Sequence, residues 1–381
     1  MNKKEVSLIT YHRAYNYGAV LQTYASIVFF EKYGYKVSII DYTPEYLQNF
    51  GTLKNTFNQI DNKKNNILKR SLYTLVKTPS YKKLKKVFDT FVDNNFNMTK
   101  PYNSLEELKY DTPKSDIYCS GSDQIWNNYY TGKFDGTFFL NFLTDNDKCI
   151  SLASSFGKNQ FNDEEKDFIK KSLKKYDILT VRESDGKKLI DNLGLKNSTL
   201  LYDPTILVDY DYWNKFASDS VNKEKYILVY QLHGDSDAYE KALTFAKKEK
   251  LKVIRIITMY HQIRKGCKNI IIPEIPDFVG LFKNAEYVFT DSFHGTVFSI
   301  VFSKKVGVRL PVRFSNRITS LLESIDSKKI IIDNLDEWKK NVNDDYMKIA
   351  NQRMYKNREK MISDYLKSLN KFNEKETQNG F

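Results

Sequence analysis

Short apolar, β-prone runs alternate along this chain with longer stretches whose apolar residues recur at helical spacing. Residues 6–10 predict a first strand, 19–33 an apolar helix closed by Gly34 at its C′ position, and 37–41 the next strand, which together make a βαβ unit. Further strands are expected at 116–120, 149–154, 178–181 and 200–202, with a capped helix at 163–176. A second set comes after them: strands 226–232, 252–258, 287–290 and 306–308, and helices 237–248, 275–283 and 316–323. Strands and helices alternating at this spacing predict parallel sheets covered by helices on both faces, an α/β chain. The expected domains are 1–205 and 206–335, followed by 336–381, where a charged amphipathic helix over 343–370 packs back onto the first domain and the last residues are disordered.

The stretch around which the pattern is organised is 286–301. A buried strand feeds a helix too apolar to be solvated, and between them lie Asp291, Ser292, Phe293, His294 and Gly295. Ser and Asp are capping residues, and Gly admits close approach of a ligand or another backbone. In an open α/β sheet such a turn lies at the carboxyl edge, where ligands bind, and the following helix directs its unpaired N–H groups there, favouring an anion. His294 reads either as a hydrogen-bonded core residue or as a working imidazole, and its place at the helix start favours the second.

Other turns carry similar chemistry. Asn16-Tyr17-Gly18 follows the first strand, where it relieves strain or meets a ligand; it is neither GxGxxG nor GxxxxGK[ST]. Gly121-Ser122-Asp123-Gln124-Ile125-Trp126-Asn127 follows the 116–120 strand, and Trp126 is either core or a plate on which a sugar ring stacks. Arg182 emerges at a strand's carboxyl end, a poor place for a solvated charge; Glu183, Asp185 or an anionic ligand are the candidate partners. Arg317, at a helix N-terminus, opposes the dipole and is easiest to understand beside an anion.

The 381 residues, 41% of them hydrophobic, suffice for two cores. Three widely spaced cysteines (Cys119, Cys149, Cys267) give neither a disulfide framework nor a metal motif and point to a reducing cytosol. The opening apolar run is too short for a signal peptide, and none reaches transmembrane length. The formal charge of +13 is concentrated: 44–100 holds 11 Lys and Arg against 4 Asp and Glu. Lys82, Lys83, Lys85 and Lys86 among Leu84, Val87, Phe88 and Phe91 predict a basic amphipathic helix, either solvated or resting on anionic lipid. No nucleic-acid-binding motif accompanies the charge, so no nucleic-acid partner is expected.

Three separated blocks, Asn16-Tyr17-Gly18-Ala19-Val20-Leu21-Gln22, Gly121 to Asn127 and Thr290-Asp291-Ser292-Phe293-His294-Gly295-Thr296, resemble the signature blocks of the polysaccharide pyruvyl transferase family. Lesser matches are Ser154-Ser155-Phe156-Gly157, Arg182-Glu183, Asp203-Pro204-Thr205, and Arg317-Ile318 leading to Leu321-Leu322-Glu323; the basic insert 44–100 matches no motif. The resemblance implies two Rossmann-like domains facing a cleft (GT-B-like), phosphoenolpyruvate as donor, and as acceptor a sugar, often on a lipid carrier. On it, His294 is expected as proton donor. Arg182 and Arg317 would clamp the donor, with Ser292, Gly295 and Thr296 supplying hydrogen bonds. Asn16, Tyr17, Gly18, Gln22, Gly121, Ser122, Asp123, Gln124, Trp126 and Asn127 would line the acceptor side. His12, His233 and His261 lack ligand spacing, and neither metal nor cofactor beyond the phosphoenolpyruvate co-substrate is expected. A nucleotide-sugar glycosyltransferase and a non-catalytic glycan-binding protein are the alternatives.

Overall fold

A computed structural model describes residues 3–48, 67–129, 132–195, 198–219 and 224–379. Its first sheet contains β1 (Glu5–Ile9), β2 (Lys36–Tyr42), β3 (Met98–Tyr102), β4 (Ile117–Ser120) and β5 (Cys149–Ser151) in the order β3-β2-β1-β4-β5. The pair β6 (Leu179–Val181) and β7 (Ser198–Leu200) joins it through isolated bridges from Ile150 to Ile178 and from Ser154 to Val181. The second sheet contains β8 (Tyr226–Tyr230), β9 (Lys252–Ile257), β10 (Lys268–Ile271), β11 (Tyr287–Thr290) and β12 (Lys305–Val308), in the order β10-β9-β8-β11-β12. Every ladder in both sheets is parallel, as in two Rossmann-like domains. Central strands covered on both faces read as unbroken apolar runs, and all five residues of β8 are buried.

Among the helices that shape the core and the cavity are α1 (Tyr17–Lys32), α2 (Ile67–Asn95), α3 (Ile275–Asn284), α4 (Phe293–Val301), α5 (Asn316–Ser324) and α6 (Asp344–Asn379). Helix α1 is apolar around most of its circumference because it lies inside the molecule. Tyr17 stacks on Phe278 of α3 with centroids 4.2 Å apart, and its hydroxyl donates to the Pro273 carbonyl at 2.6 Å. One continuous hydrophobic cluster runs from Val6 through both sheets to Leu369, while a second, including Trp126 and Phe138, fills the other face of the first sheet.

Several elements differ from the sequence expectation. The insert is not wholly helical, since β3 adds an edge strand in which Pro101 is tolerated. The apolar side of α2 is not presented to lipid: Leu84, Val87, Phe88 and Phe91 are buried in the main cluster. Strand β5 stops at Ser151, and Ala153 with φ 51° turns the chain. Strand β10, a half-exposed edge, is absent from the sequence expectation although Ile270, Ile271 and Ile272 form a short β-branched run there. Helix α6 runs to Asn379, beyond the expected end. Asn351 donates to the carbonyls of Ile300 and Val301 at 2.8 and 3.0 Å, and Tyr365 packs on Phe29, so this helix holds both domains rather than the first alone.

Candidate active site

The strand order reverses between β1 and β4 in one sheet and between β8 and β11 in the other. Ligands of open α/β sheets bind at such points because the departing loops diverge there and leave a crevice. The loops after these four strands meet around one cavity of about 750 Å³. His12, Asp123, His233 and His294 stand on its wall, one from each loop.

Ser292 caps α4, accepting from the Gly295 amide at 3.3 Å, so His294 is the second residue of the helix rather than part of a preceding turn. Its side chain is 8% exposed, and Nε2 lies 3.6 Å from the Asp203 carboxylate without a hydrogen bond. A Cβ on Gly18 would stand 2.0 Å from His294 Nδ1. Gly18 is the bare backbone against which the imidazole rests, and it is not among the residues that line the cavity.

Asp203 is fully buried between His294 and Arg182, whose Nη1 donates to it. Burial alone would raise this carboxyl, but the opposing charges of His294 and Arg182 outweigh burial and hold it well below the usual carboxylate range. Arg182 thus has an internal partner outside the candidates that the sequence offered, and Asp185 instead accepts from Asn316. Asp123 adopts φ 70°, a conformation that acidic side chains tolerate, and stands 3.6 Å from Arg182 and 3.5 Å from Arg317. It is the anion that compensates Arg317 at the start of α5, supplied from the other domain. With the Gln124 amide oxygen facing Arg317, it accepts from Nε at 3.0 Å and Nη2 at 2.6 Å. Burial and the neighbouring Arg182 lower the Arg317 pKa, while burial raises that of Glu183, which accepts from the Ser155 hydroxyl. Both guanidinium groups lie over the Phe293 ring, at 4.8 and 5.6 Å.

Of the residues named from sequence, Asn16, Asp123, Gln124, Asn127, Ser292, His294 and Arg317 reach the cavity wall. The others stand behind it. Arg182 is spent on Asp203, and Thr296 donates its hydroxyl to the Ser292 carbonyl at 2.9 Å. Gly121 packs on Leu8 and Thr10, and Gly295 packs on Thr290, each without room for a Cβ. Gln22 donates to Thr10 and Thr23, while the Ser122 hydroxyl donates to Asp203 at 3.3 Å. Tyr17 is taken up by the contact with α3. Trp126, fully buried, stacks on Phe139 and donates its indole N–H to the Phe138 carbonyl at 3.1 Å, so it has no face to offer a sugar.

Sequence reasoning missed a second polar group on the wall. His12 Nε2 lies 2.9 Å from Asp41, and Arg13 grips the same carboxylate with Nε and Nη2 at 2.9 and 3.0 Å. Burial would raise Asp41, but hydrogen bonds from His12 and Arg13 hold it below the usual range. The one signal for it in the sequence is an aspartate inside an otherwise apolar strand, which must find partners. His233 was missed as well; its Nδ1 is 3.4 Å from Asp291, a buried carboxylate fixed by the amides of Leu232 and His233. Among the described residues no group of three or more His, Cys, Asp or Glu is placed to hold a metal ion, and no helix is long and apolar enough to cross a membrane.

Solved structures share the architecture at low identity. MnaA of S. aureus, in a co-structure with UDP, is 10% identical with TM-score 0.51, covering 93% of this chain and 91% of its own. UDP-GlcNAc 2-epimerase from Neisseria meningitidis, bound to UDP-GlcNAc, is 11% identical with TM-score 0.47 over 97% and 100% of the two chains. Anabaena Alr3699/HepE, in complex with UDP and glucose, is 10% identical with TM-score 0.48 over 96% and 100%. The first of these places the chain among GT-B-type folds of two Rossmann-like domains. No curated protein matches it. The polysaccharide pyruvyl transferase family model matches residues 16–308, which include all three signature blocks and, with them, Asn16, Asp123, His233 and His294 of the cavity wall. The chain belongs to the polysaccharide pyruvyl transferase family.

Proposed function

We propose that this protein moves the pyruvyl group of phosphoenolpyruvate onto two hydroxyls of one sugar, in a surface polysaccharide or its lipid-linked precursor. Both C–O bonds of a ketal form at the enol carbon, and the C–O bond to phosphate breaks. One hydroxyl proton's equivalent ends on the methylene, which becomes methyl, and the other leaves with inorganic phosphate. The observation that carries the reading is an imidazole at a helix N-terminus on the wall of a cavity that Arg317 also lines, in a chain of this family. His294 is the proposed proton donor to the methylene and then acceptor from the attacking hydroxyl. Arg317 and the first N–H groups of α4 would take the donor's anionic groups, while Arg182 acts through Asp203. Asn16, Asp123, Gln124 and Asn127 are proposed to face the acceptor. The reading calls for no cofactor besides this co-substrate.

Titration with phosphoenolpyruvate and with a nucleotide sugar in parallel tests it. Arg317→Ala is expected to weaken phosphoenolpyruvate binding by about 2–3 kcal/mol. Preference for the nucleotide sugar would favour glycosyl transfer, and turnover of neither a binding protein. For a lipid-linked acceptor we place the protein on the cytoplasmic face of an anionic membrane, contacted through exposed lysines such as Lys82 and Lys86 rather than through apolar insertion. Vesicle association that is unchanged by salt would overturn that contact.

A further inference from the structure

The insert between β2 and β4 matches no signature block, yet it builds one end of the cavity. Tyr46 and Leu47 come from the short helix Glu45–Gln48, and Lys85 and Asp89 from α2. They face Tyr42 at the end of β2 and Tyr11 in the β1 loop. The aromatic rings are braced. Tyr42 donates to Asp135 at 2.7 Å, Tyr46 donates to the same carboxylate oxygen, and Phe138 meets Tyr11 and Tyr42 edge-on at 4.9 and 5.5 Å. With their hydroxyls committed to Asp135, Tyr42 and Tyr46 line the cavity with their rings, Tyr46 the more exposed of the two.

The charges at this end are matched. Arg13 is bidentate to Asp41, and Lys85 donates to Asp89 at 2.5 Å. A uronate carboxylate or a nucleoside diphosphate would have to displace one of these carboxylates to reach a cation. A neutral pyranose needs no such exchange, because its C–H face covers an aromatic ring while its hydroxyls meet the polar rim.

We propose that the tyrosine wall formed by Tyr11, Tyr42 and Tyr46 is the subsite for the acceptor's sugar ring, that it selects a neutral hexopyranose, and that the insert sets this specificity. The inference rests on the pyruvyl-transfer reading for the word acceptor, but the subsite can be tested without it. The probes are neutral methyl hexopyranosides of gluco, galacto and manno configuration, the matching methyl uronates, and UDP, each titrated by saturation-transfer NMR, with phosphoenolpyruvate titrated separately.

At least one neutral hexoside is expected to bind in preference to its uronate. Tyr46→Ala should weaken it at least about tenfold, whereas Tyr46→Phe and Tyr46→Trp, which keep a ring, should hold it within about threefold. Should Tyr46→Ala fail to fold, as read by its thermal transition, the two ring-keeping variants and the hexoside-to-uronate ratio of the wild type still decide. No hexoside binding, equal binding of the uronate, or UDP as the ligand lost with Tyr46 would each overturn the subsite. Hexoside binding that depends on Tyr46 without any phosphoenolpyruvate binding would sink the transfer reading and leave the subsite standing.

Discussion

His294 owes its position to two residues that do no chemistry. Gly18 leaves space for the ring, and Asp203 lies on the far side of it, tied to Arg182. Gly18→Ala is expected to displace the imidazole by about an ångström, a shift that commonly costs about a hundredfold in rate. On the proposed transfer, pyruvate content of the glycan made by cells carrying the variant, set against protein abundance, measures it. Asp203→Asn leaves Arg182 charged and buried without its carboxylate, so a loss of about 3–5 kcal/mol in unfolding free energy is expected by denaturant titration. One contribution to the pH dependence comes from the same residue. Its folded pKa lies below the unfolded value of about 3.9, so its contribution is complete above that value and is lost as pH falls through the folded pKa. The Asn variant should therefore lose less stability than the wild type as the pH drops below about 4.

Helix α2 shows how an element can carry a role that its charge conceals. Its lysines dominate the sequence, yet its buried row, including Phe88 against Tyr17 at 4.9 Å, joins the insert to the packed interior. Lys83 donates to the Ile271 carbonyl of β10 at 2.6 Å, and Ser80 accepts from the Tyr260 amide at 2.9 Å, so the helix reaches the second sheet as well. Phe88→Ala should cost about 3–5 kcal/mol. Removing the exposed charge at Lys82 should cost under about 0.5 kcal/mol. The same pair of variants, compared by chemical denaturation, separates packing from charge.

At the scale of the whole molecule the two sheets are not independent. The main cluster passes continuously through α1, α3 and α4, and α6 is fastened to both halves. Such a core favours one cooperative transition, because neither half can be exposed without stripping apolar surface from the other. Calorimetry of the full chain is expected to show a single endotherm, and two resolved transitions would contradict the shared core.

Parallel α/β layering was legible in the sequence because apolar runs buried on both faces have few other ways to satisfy their backbone and side chains at once. The loops that carry chemistry were legible too, since capping residues and glycines mark where strands hand over to helices. The partners across the cavity were not. Asp203 lies far along the chain from both Arg182 and His294, Asp123 answers an arginine from the other domain, and Tyr46 joins Tyr42 through Asp135. Local pattern records which residues are capped or buried, but pairing of charges and stacking of rings are distance-dependent, and the fold alone sets those distances. Trp126 shows the limit: an indole suits a sugar plate as well as its commoner place in a core, and only its burial against Phe139 decided for the core.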